Sequence, residues 1–316
     1  MAGKMKGIFA IPQTPFVKGK GSFLEVDEES LRREVNFCIE AGAHGIVMPV
    51  MASEFTELCE DERKRIAEIV VEETARRIPA VIGVAGVCTR MAVKLAMHAQ
   101  DVGADAVIAM PPYVSKLSQD GIYEYYAAIS DAIKIPIIVQ NVGPPLGSSL
   151  SPEFVARLIR EIRNVKYVKE EVPPEGHSIT AVLKACGSDV KGVFGGTGGL
   201  YLIEELKRGA AGNMPACAFT DILVEIYNRF EQGDEQGARQ LHKEFVPLIN
   251  LTVGSGSIVK DVLVRRGILR TNYSRSPRTP LDEYDVAELE LNLKAMAPYL
   301  RKYLPSFRSR PTEQTP

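Results

Sequence analysis

Apolar residues along this chain alternate between two rhythms. Short apolar runs bounded by Gly or Pro occur at "GIFAIP" (7–12), "GIVMPV" (45–50), "AVIGVAG" (80–86), "DAVIAMPP" (105–112), "IPIIVQN" (135–141), "VKYVKEE" (165–171), "VKGVFGG" (190–196) and "GAAGNMP" (209–215). Runs of that length and composition predict buried strands. Between them lie stretches of helical period, at 28–41, 60–77, 89–102, 120–132, 152–162, 178–186 and 200–208. Strands alternating with helices imply a parallel sheet, one βα unit after another. Eight such units close into a (β/α)₈ TIM barrel, an α/β fold whose chemistry sits at the C-terminal ends of the strands. The rival, a doubly wound open sheet, carries a Gly-rich turn after its first strand, and "AIPQTPF" is not such a turn. After residue 217 the pattern is purely helical, at 218–231, 234–248, 256–267 and 284–303. The expected organisation is therefore a barrel of strands and helices over 1–217. Its last helix and a C-terminal helical extension of the same domain occupy 218–305, and a polar, flexible tail 306–316.

Composition and charge narrow the function classes. The net charge of −2 on 316 residues gives no basic field for a nucleic-acid partner. The longest uncharged stretches, such as 135–152, contain Pro, Gly, Asn and Gln, so no membrane span is expected. Five scattered cysteines without a Cys-x-x-Cys pair point to a reduced, cytoplasmic protein. The four histidines have no metal-ligand spacing, so no metal is expected.

The segment "NVKYVKEEVPPEGH" (164–177) stands out, because an apolar strand ends there in Lys169, Glu170 and Glu171. Side chains of a strand alternate between its faces. If Lys169 points into the barrel, Tyr167 and Glu171 do too, while Val168 and Glu170 face the helices. A lysine at that place has two uses: a self-satisfying Lys–Glu ion pair, or a neutral amine that attacks a carbonyl and forms a Schiff base. "GGTGG" (195–199) ends the seventh strand, where Gly195 and Gly196 allow a close backbone approach to substrate or simply a tight turn. Tyr113 lines the mouth or a subunit contact. His177 is either an acid or base or an ordinary loop residue, and Ser148 or Ser149 can contact substrate hydroxyls.

Several pieces stand in one order: "TPF" (14–16), "SEFTEL…DER" (53–63), "PPY" (111–113), "IPIIVQNVGPPLG" (135–147), "VKYVKEE" (165–171), "IVKDVLVRRG" (258–267) and "RTPL" (278–281). This series resembles the dihydrodipicolinate synthase / N-acetylneuraminate lyase family of class I aldolases, over about 300 residues. The resemblance implies a barrel that often assembles as a homotetramer. It also implies that Lys169 forms the Schiff base with a small 2-oxo acid, with no cofactor. Ala52 and Ser53 match the family's carboxylate-binding residues, which act largely through main-chain N–H groups.

The departures are as informative. The family's Gly-Thr-Thr-Gly-Glu is "VMASE" (50–54) here, with Met51 in place of a relay hydroxyl, and Gln140 in "QNVG" takes the place of the catalytic tyrosine. Glutamine cannot move protons near neutral pH. Glu171 then becomes the expected base, or else a counter-ion of Lys169. The set is similar to one branch of the family, the L-2-keto-3-deoxyarabonate dehydratases, which has glutamine in the tyrosine position and glutamate two residues past the lysine. That branch implies dehydration of a 2-oxo-3-deoxy sugar acid in L-arabinose degradation, giving 2-oxoglutarate semialdehyde. Two alternatives stand beside it: an aldolase or synthase that cleaves or condenses pyruvate with an aldehyde, and a non-catalytic 2-oxo-acid sensor.

Overall fold

A computed structural model of the chain describes residues 5–21, 23–143, 149–254, 256–276 and 279–301. The polar tail at 306–316 and Ser148 lie outside the described residues. Eight parallel strands close a barrel: β1 (Gly7–Ala10), β4 (Gly45–Met48), β5 (Ala80–Gly83), β6 (Ala106–Ala109), β7 (Ile137–Val142), β8 (Val165–Glu171), β9 (Gly192–Gly195) and β10 (Gly212–Asn213). Each neighbours the next in sequence order, and β10 closes onto β1 through Gly7–Gly212 and Ile8–Asn213. The expected TIM barrel is the fold of this chain.

The strands read as continuous apolar runs because both of their faces are covered. Phe9, Val47, Val81, Ile108, Tyr167 and Phe194 point inward and fill the barrel, with Phe9 edge-on to Phe194 at 5.1 Å. Their neighbours Ile8, Ile46, Ile82, Val107, Val168 and Val193 point outward into the helix layer. Burial of these side chains, at about 1.5–3 kcal/mol each, supplies the main driving force.

The helices begin where capping residues allow. α1 (Glu28–Glu40) starts on Asp27, α4 (Gln119–Ala132) on Ser118 and α5 (Pro152–Glu161) on Ser151, each side chain accepting from a backbone N–H three residues on. α2 (Glu60–Thr74), α3 (Thr89–Asp101), α6 (Glu175–Cys186) and α7 (Leu202–Lys207) fill the remaining crossovers. α8 (Thr220–Glu231) packs on β1 and completes the ring. α9 (Glu235–Gly254), α10 (Gly256–Arg265) and α11 (Glu283–Met296) form the C-terminal extension. No single described helix is long and apolar enough to cross a membrane.

α9 runs on to Gly254, past the expected end at 248, and two further features depart from the expected pattern. α6 starts at Glu175, three residues earlier than its sequence suggests. A small antiparallel hairpin, β2 (Phe16–Lys18) with β3 (Leu24–Val26), occupies a stretch to which the sequence pattern assigns no element. The extension returns to the barrel mouth over residues 270–276. There Arg275 bonds Glu62 at 2.6 and 2.8 Å and the Leu24 carbonyl of the hairpin, and Arg270 bonds Asp27 bidentately.

The Asp27 contact makes a test of how the extension is held. Burial alone would raise this carboxyl, but the hydrogen bonds from Arg270 and Ser30 outweigh it and hold it at about 2. Because the folded value lies below the unfolded one, the stabilisation is present above about pH 4 and is lost as pH falls towards 2. Asp27→Asn keeps the cap and removes the charge. It is expected to lower the unfolding free energy at pH 7 by about 1–2 kcal/mol, a figure reduced because Arg270 is half exposed. The difference from the unsubstituted protein, measured by urea unfolding, should shrink to nothing on acidification through that window.

Candidate active site

Strand β8 presents both an amine and a carboxylate to the barrel axis because its period of two separates its last polar residues. Tyr167, Lys169 and Glu171 face the barrel axis. Val168 and Glu170 face outward, with Val168 in the helix-layer core and Glu170 fully buried. Lys169 is 5% exposed, and its Nζ lies 3.0 Å from Glu171 Oε1. Gln140, on β7 and in register with Lys169, donates from Nε2 to Glu171 Oε2 at 2.8 Å. The three residues therefore meet at the mouth, with the carboxylate between an amine and an amide.

The outward face holds this strand in place. Asn141 donates to Glu170 at 2.8 Å, and it both donates to and accepts from the Leu150 backbone. The Val172 N–H caps the other Glu170 oxygen at 3.0 Å. Burial pushes the Glu170 carboxyl up to about 7 against the pull of these hydrogen bonds. Glu170 thus ties the ends of β7 and β8 and the chain after β7 into one unit, and takes no part in the mouth itself.

Gly195, the last residue of β9, and Gly196 after it have a definite purpose. A Cβ on Gly196 would overlap the Glu171 carboxylate, and one on Gly195 would overlap Glu205. The close approach that these glycines permit is therefore, first, to two carboxylates of this chain. Glu175, Glu205, Thr197 and Asn213 were not singled out in the sequence, and they form the far side of the site. Thr197 donates to Glu175, and Asn213 donates to Glu205 at 2.8 Å and to the Gly196 carbonyl at 2.9 Å. Thr197 has a φ of 45°, uncommon for a β-branched residue. Such a residue inside a Gly-Gly-Thr-Gly-Gly turn is the one local signal that marks the position.

Ala52 and Ser53 lie in a 3₁₀ turn after β4, with Ala52 exposed at its tip and Ser53 buried. The Ser53 hydroxyl donates to the Pro12 carbonyl at 2.7 Å, and its N–H closes onto the Val50 carbonyl at 2.8 Å. Both Ser53 groups expected to serve a ligand are thus engaged in holding the turn, while Ala52 stands at the open edge. Glu54 follows with φ 55° and is fixed by Lys260, by Ser274 at 2.5 Å and by the N–H groups of Arg275 and Ser276. Lys260 is therefore a structural anchor. Tyr113 packs edge-on against Phe55 at 5.4 Å, in an apolar cluster with Met51 and Val142. His177 is exposed in the first turn of α6. Two concavities, of about 480 Å³ beside Thr74 and Asp105 and about 800 Å³ beside Lys6 and Tyr227, lie away from this mouth, so chemistry rather than cavity size marks it.

Known proteins resemble this chain over most of its length. Residues 4–296 match the dihydrodipicolinate synthetase family. The L-2-keto-3-deoxyarabonate dehydratase of Azospirillum brasilense is 32% identical over 282 residues, 88% of this chain and 89% of that protein. The 4-hydroxy-tetrahydrodipicolinate synthase of Methanopyrus kandleri is 33% identical over 251 residues, 78% of this chain and 81% of that one. The crystal structure of dihydrodipicolinate synthase from Thermotoga maritima superposes with a TM-score of 0.85 at 26% identity, covering 93% of this chain and 99% of that one.

The packing of Gly196 against Glu171 yields a direct test. Gly196→Ala meets the Cγ and carboxyl group of that side chain and no backbone among its nearest contacts, so the fold should survive with a stability loss of about 1–2 kcal/mol. The displaced carboxylate should lower turnover about 10²-fold, as an ångström-scale misplacement does. Thermal unfolding and steady-state kinetics on the same preparation separate the two effects.

Proposed function

The chain belongs to the dihydrodipicolinate synthetase family, whose members act as lyases or synthases, and we propose that within it this protein is a Schiff-base dehydratase of a 2-oxo-3-deoxy sugar acid. The substrate favoured is L-2-keto-3-deoxyarabonate, giving 2-oxoglutarate semialdehyde and water. The observation that carries this reading is the placement of Glu171 3.0 Å from the Lys169 amine, with Gln140 as its other partner. That set offers an amine and a base, and on the neighbouring strand an amide that cannot exchange protons.

The chemistry follows from that arrangement. The proton on Lys169 has an acceptor within hydrogen-bond distance, so the amine can be freed to attack C2 of the substrate. Loss of water from the adduct leaves an imine that acidifies the C3 hydrogens. Glu171, once its oxygen is no longer paired with an ammonium, takes one of them. The resulting enamine expels the C4 hydroxyl as water, forming the C3–C4 double bond. Loss of a C5 hydrogen and return of a proton to C3 shift that double bond to a C4–C5 enol, and tautomerisation of the enol to the aldehyde and hydrolysis of the imine release the product and restore the lysine. Gln140 holds the carboxylate in line throughout. The similarity to the Azospirillum brasilense dehydratase supports the same assignment.

A second reading, condensation or cleavage of pyruvate with an aldehyde, is favoured by the equal identity to the Methanopyrus kandleri synthase. Products distinguish the two. A semialdehyde of unchanged carbon count is expected here, and pyruvate plus an aldehyde would transfer the assignment to the aldolase reading. Borohydride added with pyruvate should modify Lys169 irreversibly, as read by peptide mass spectrometry. Lys169→Ala should abolish both trapping and turnover. Glu171→Gln should still be trapped, with turnover reduced about 10²–10⁴-fold. Full activity in Lys169→Ala would end the Schiff-base assignment.

A further inference from the structure

Dehydration needs an acid as well as a base, and the far side of the mouth holds a group suited to that role. Glu205, on α7, is fully buried, and Glu175, in the first turn of α6, is 5% exposed. Glu175 Oε2 and Glu205 Oε1 are both buried without a hydrogen-bond partner, while each residue's other oxygen is bonded, to Thr197 and to Asn213 respectively. The two carboxyl groups lie within hydrogen-bonding reach of each other. Two bare buried carboxylate oxygens side by side are costly, and a single proton between them satisfies both.

The surroundings favour retention of that proton. Burial raises the Glu205 carboxyl, and so do the nearby charges of Glu175 and Glu171, against the hydrogen bond from Asn213. Burial likewise raises Glu175, against its bond from Thr197, and Lys169 is the cation that acts on it. On the solvent side Glu204 and Arg208 pair with each other at 2.9 Å.

Position gives the proton a route. Thr197 follows Gly196, against which Glu171 packs, and its hydroxyl contacts Glu175. We propose that Glu175 and Glu205 share one proton and pass it, through the Thr197 hydroxyl, to the oxygen that leaves C4 of the substrate. This rests on the dehydratase reading above. As the C4–O bond breaks and the enamine electrons form the C3–C4 double bond, the Thr197 hydroxyl turns from Glu175 Oε1 and gives its proton to the departing oxygen, and the Glu175 carboxyl turns its proton-bearing Oε2 to Thr197 and returns one. Water leaves, and the C3 proton held by Glu171 then refills the pair, so no net proton is gained or lost. Thr197 is the contact with the departing oxygen, while Glu175 and Glu205 act through it.

The test separates the two halves of the reaction. Pyruvate forms the imine and exchanges its C3 hydrogens but has no C4 hydroxyl to lose. Glu205→Gln places a neutral amide in the pair, and Thr197→Val removes the relay hydroxyl at nearly constant shape. Both should keep borohydride trapping and the deuterium exchange of pyruvate followed by NMR, and both should lose about 10² or more in dehydration kcat. Thr197→Ser should recover most of that loss. Infrared spectra should show a protonated-carboxyl band that disappears in Glu205→Gln. Dehydration unchanged in Glu205→Gln and Thr197→Val overturns the proposal, and so does the absence of that band from the unsubstituted protein. Exchange and dehydration falling together also overturn it, since the pair then only supports Lys169 and Glu171. If the unsubstituted protein exchanges pyruvate but dehydrates no 2-oxo-3-deoxy acid, the dehydratase reading itself fails, and the relay falls with it.

Discussion

The barrel mouth is organised around one carboxylate. Glu171 lies between the Lys169 amine and the Gln140 amide, and Gly196 leaves the space it occupies. A charge in so enclosed a place is tolerated only while its partners remain, because removing one leaves the other buried and unpaired. That dependence links three strands: β7 supplies the amide, β8 the ion pair, and β9 the glycine. The inward and outward alternation of β8 then places Glu170 on the opposite face, where Asn141 and the Val172 N–H satisfy it. Neighbouring glutamates in one strand thus have separate tasks.

The same region carries an excess of acid. Glu170, Glu171, Glu175 and Glu205 cluster near a single lysine, and the fold tolerates this by giving each a polar neighbour. Asn141 serves Glu170, Gln140 serves Glu171, Thr197 serves Glu175 and Asn213 serves Glu205. The neighbours are amides and a hydroxyl rather than further cations. They orient the carboxyl groups without removing their capacity to hold a proton, which suits the proposed proton transfers.

Much of this was visible in the chain before any coordinates. Gly and Pro bound the barrel strands, and β8 was the one strand whose polar residues revealed its facing. The far side was hidden for local reasons. "VPPEGH" looks like a loop, so α6 was expected to begin at 178, and Glu175 was missed as a buried residue of its first turn. Glu205 sits in a helix with Glu204 beside it, and no periodicity tells a buried glutamate from its exposed neighbour in "IEEL". The β2–β3 hairpin has two strands of three residues with only Phe16 buried, too short for a pattern. The helical pattern predicts an end for α9 at 248, one residue past Pro247. Burial of Leu248 and Ile249 carries the helix on to Gly254.

Glu54, which ends the turn carrying Ala52 and Ser53, is held by Lys260 and by residues 274–276. During synthesis on the ribosome the chain emerges N-terminus first. All eight barrel strands therefore leave the exit tunnel before the groups that fasten this turn. The order of synthesis therefore sets the fastening of this turn last, after every strand of the cylinder has been made.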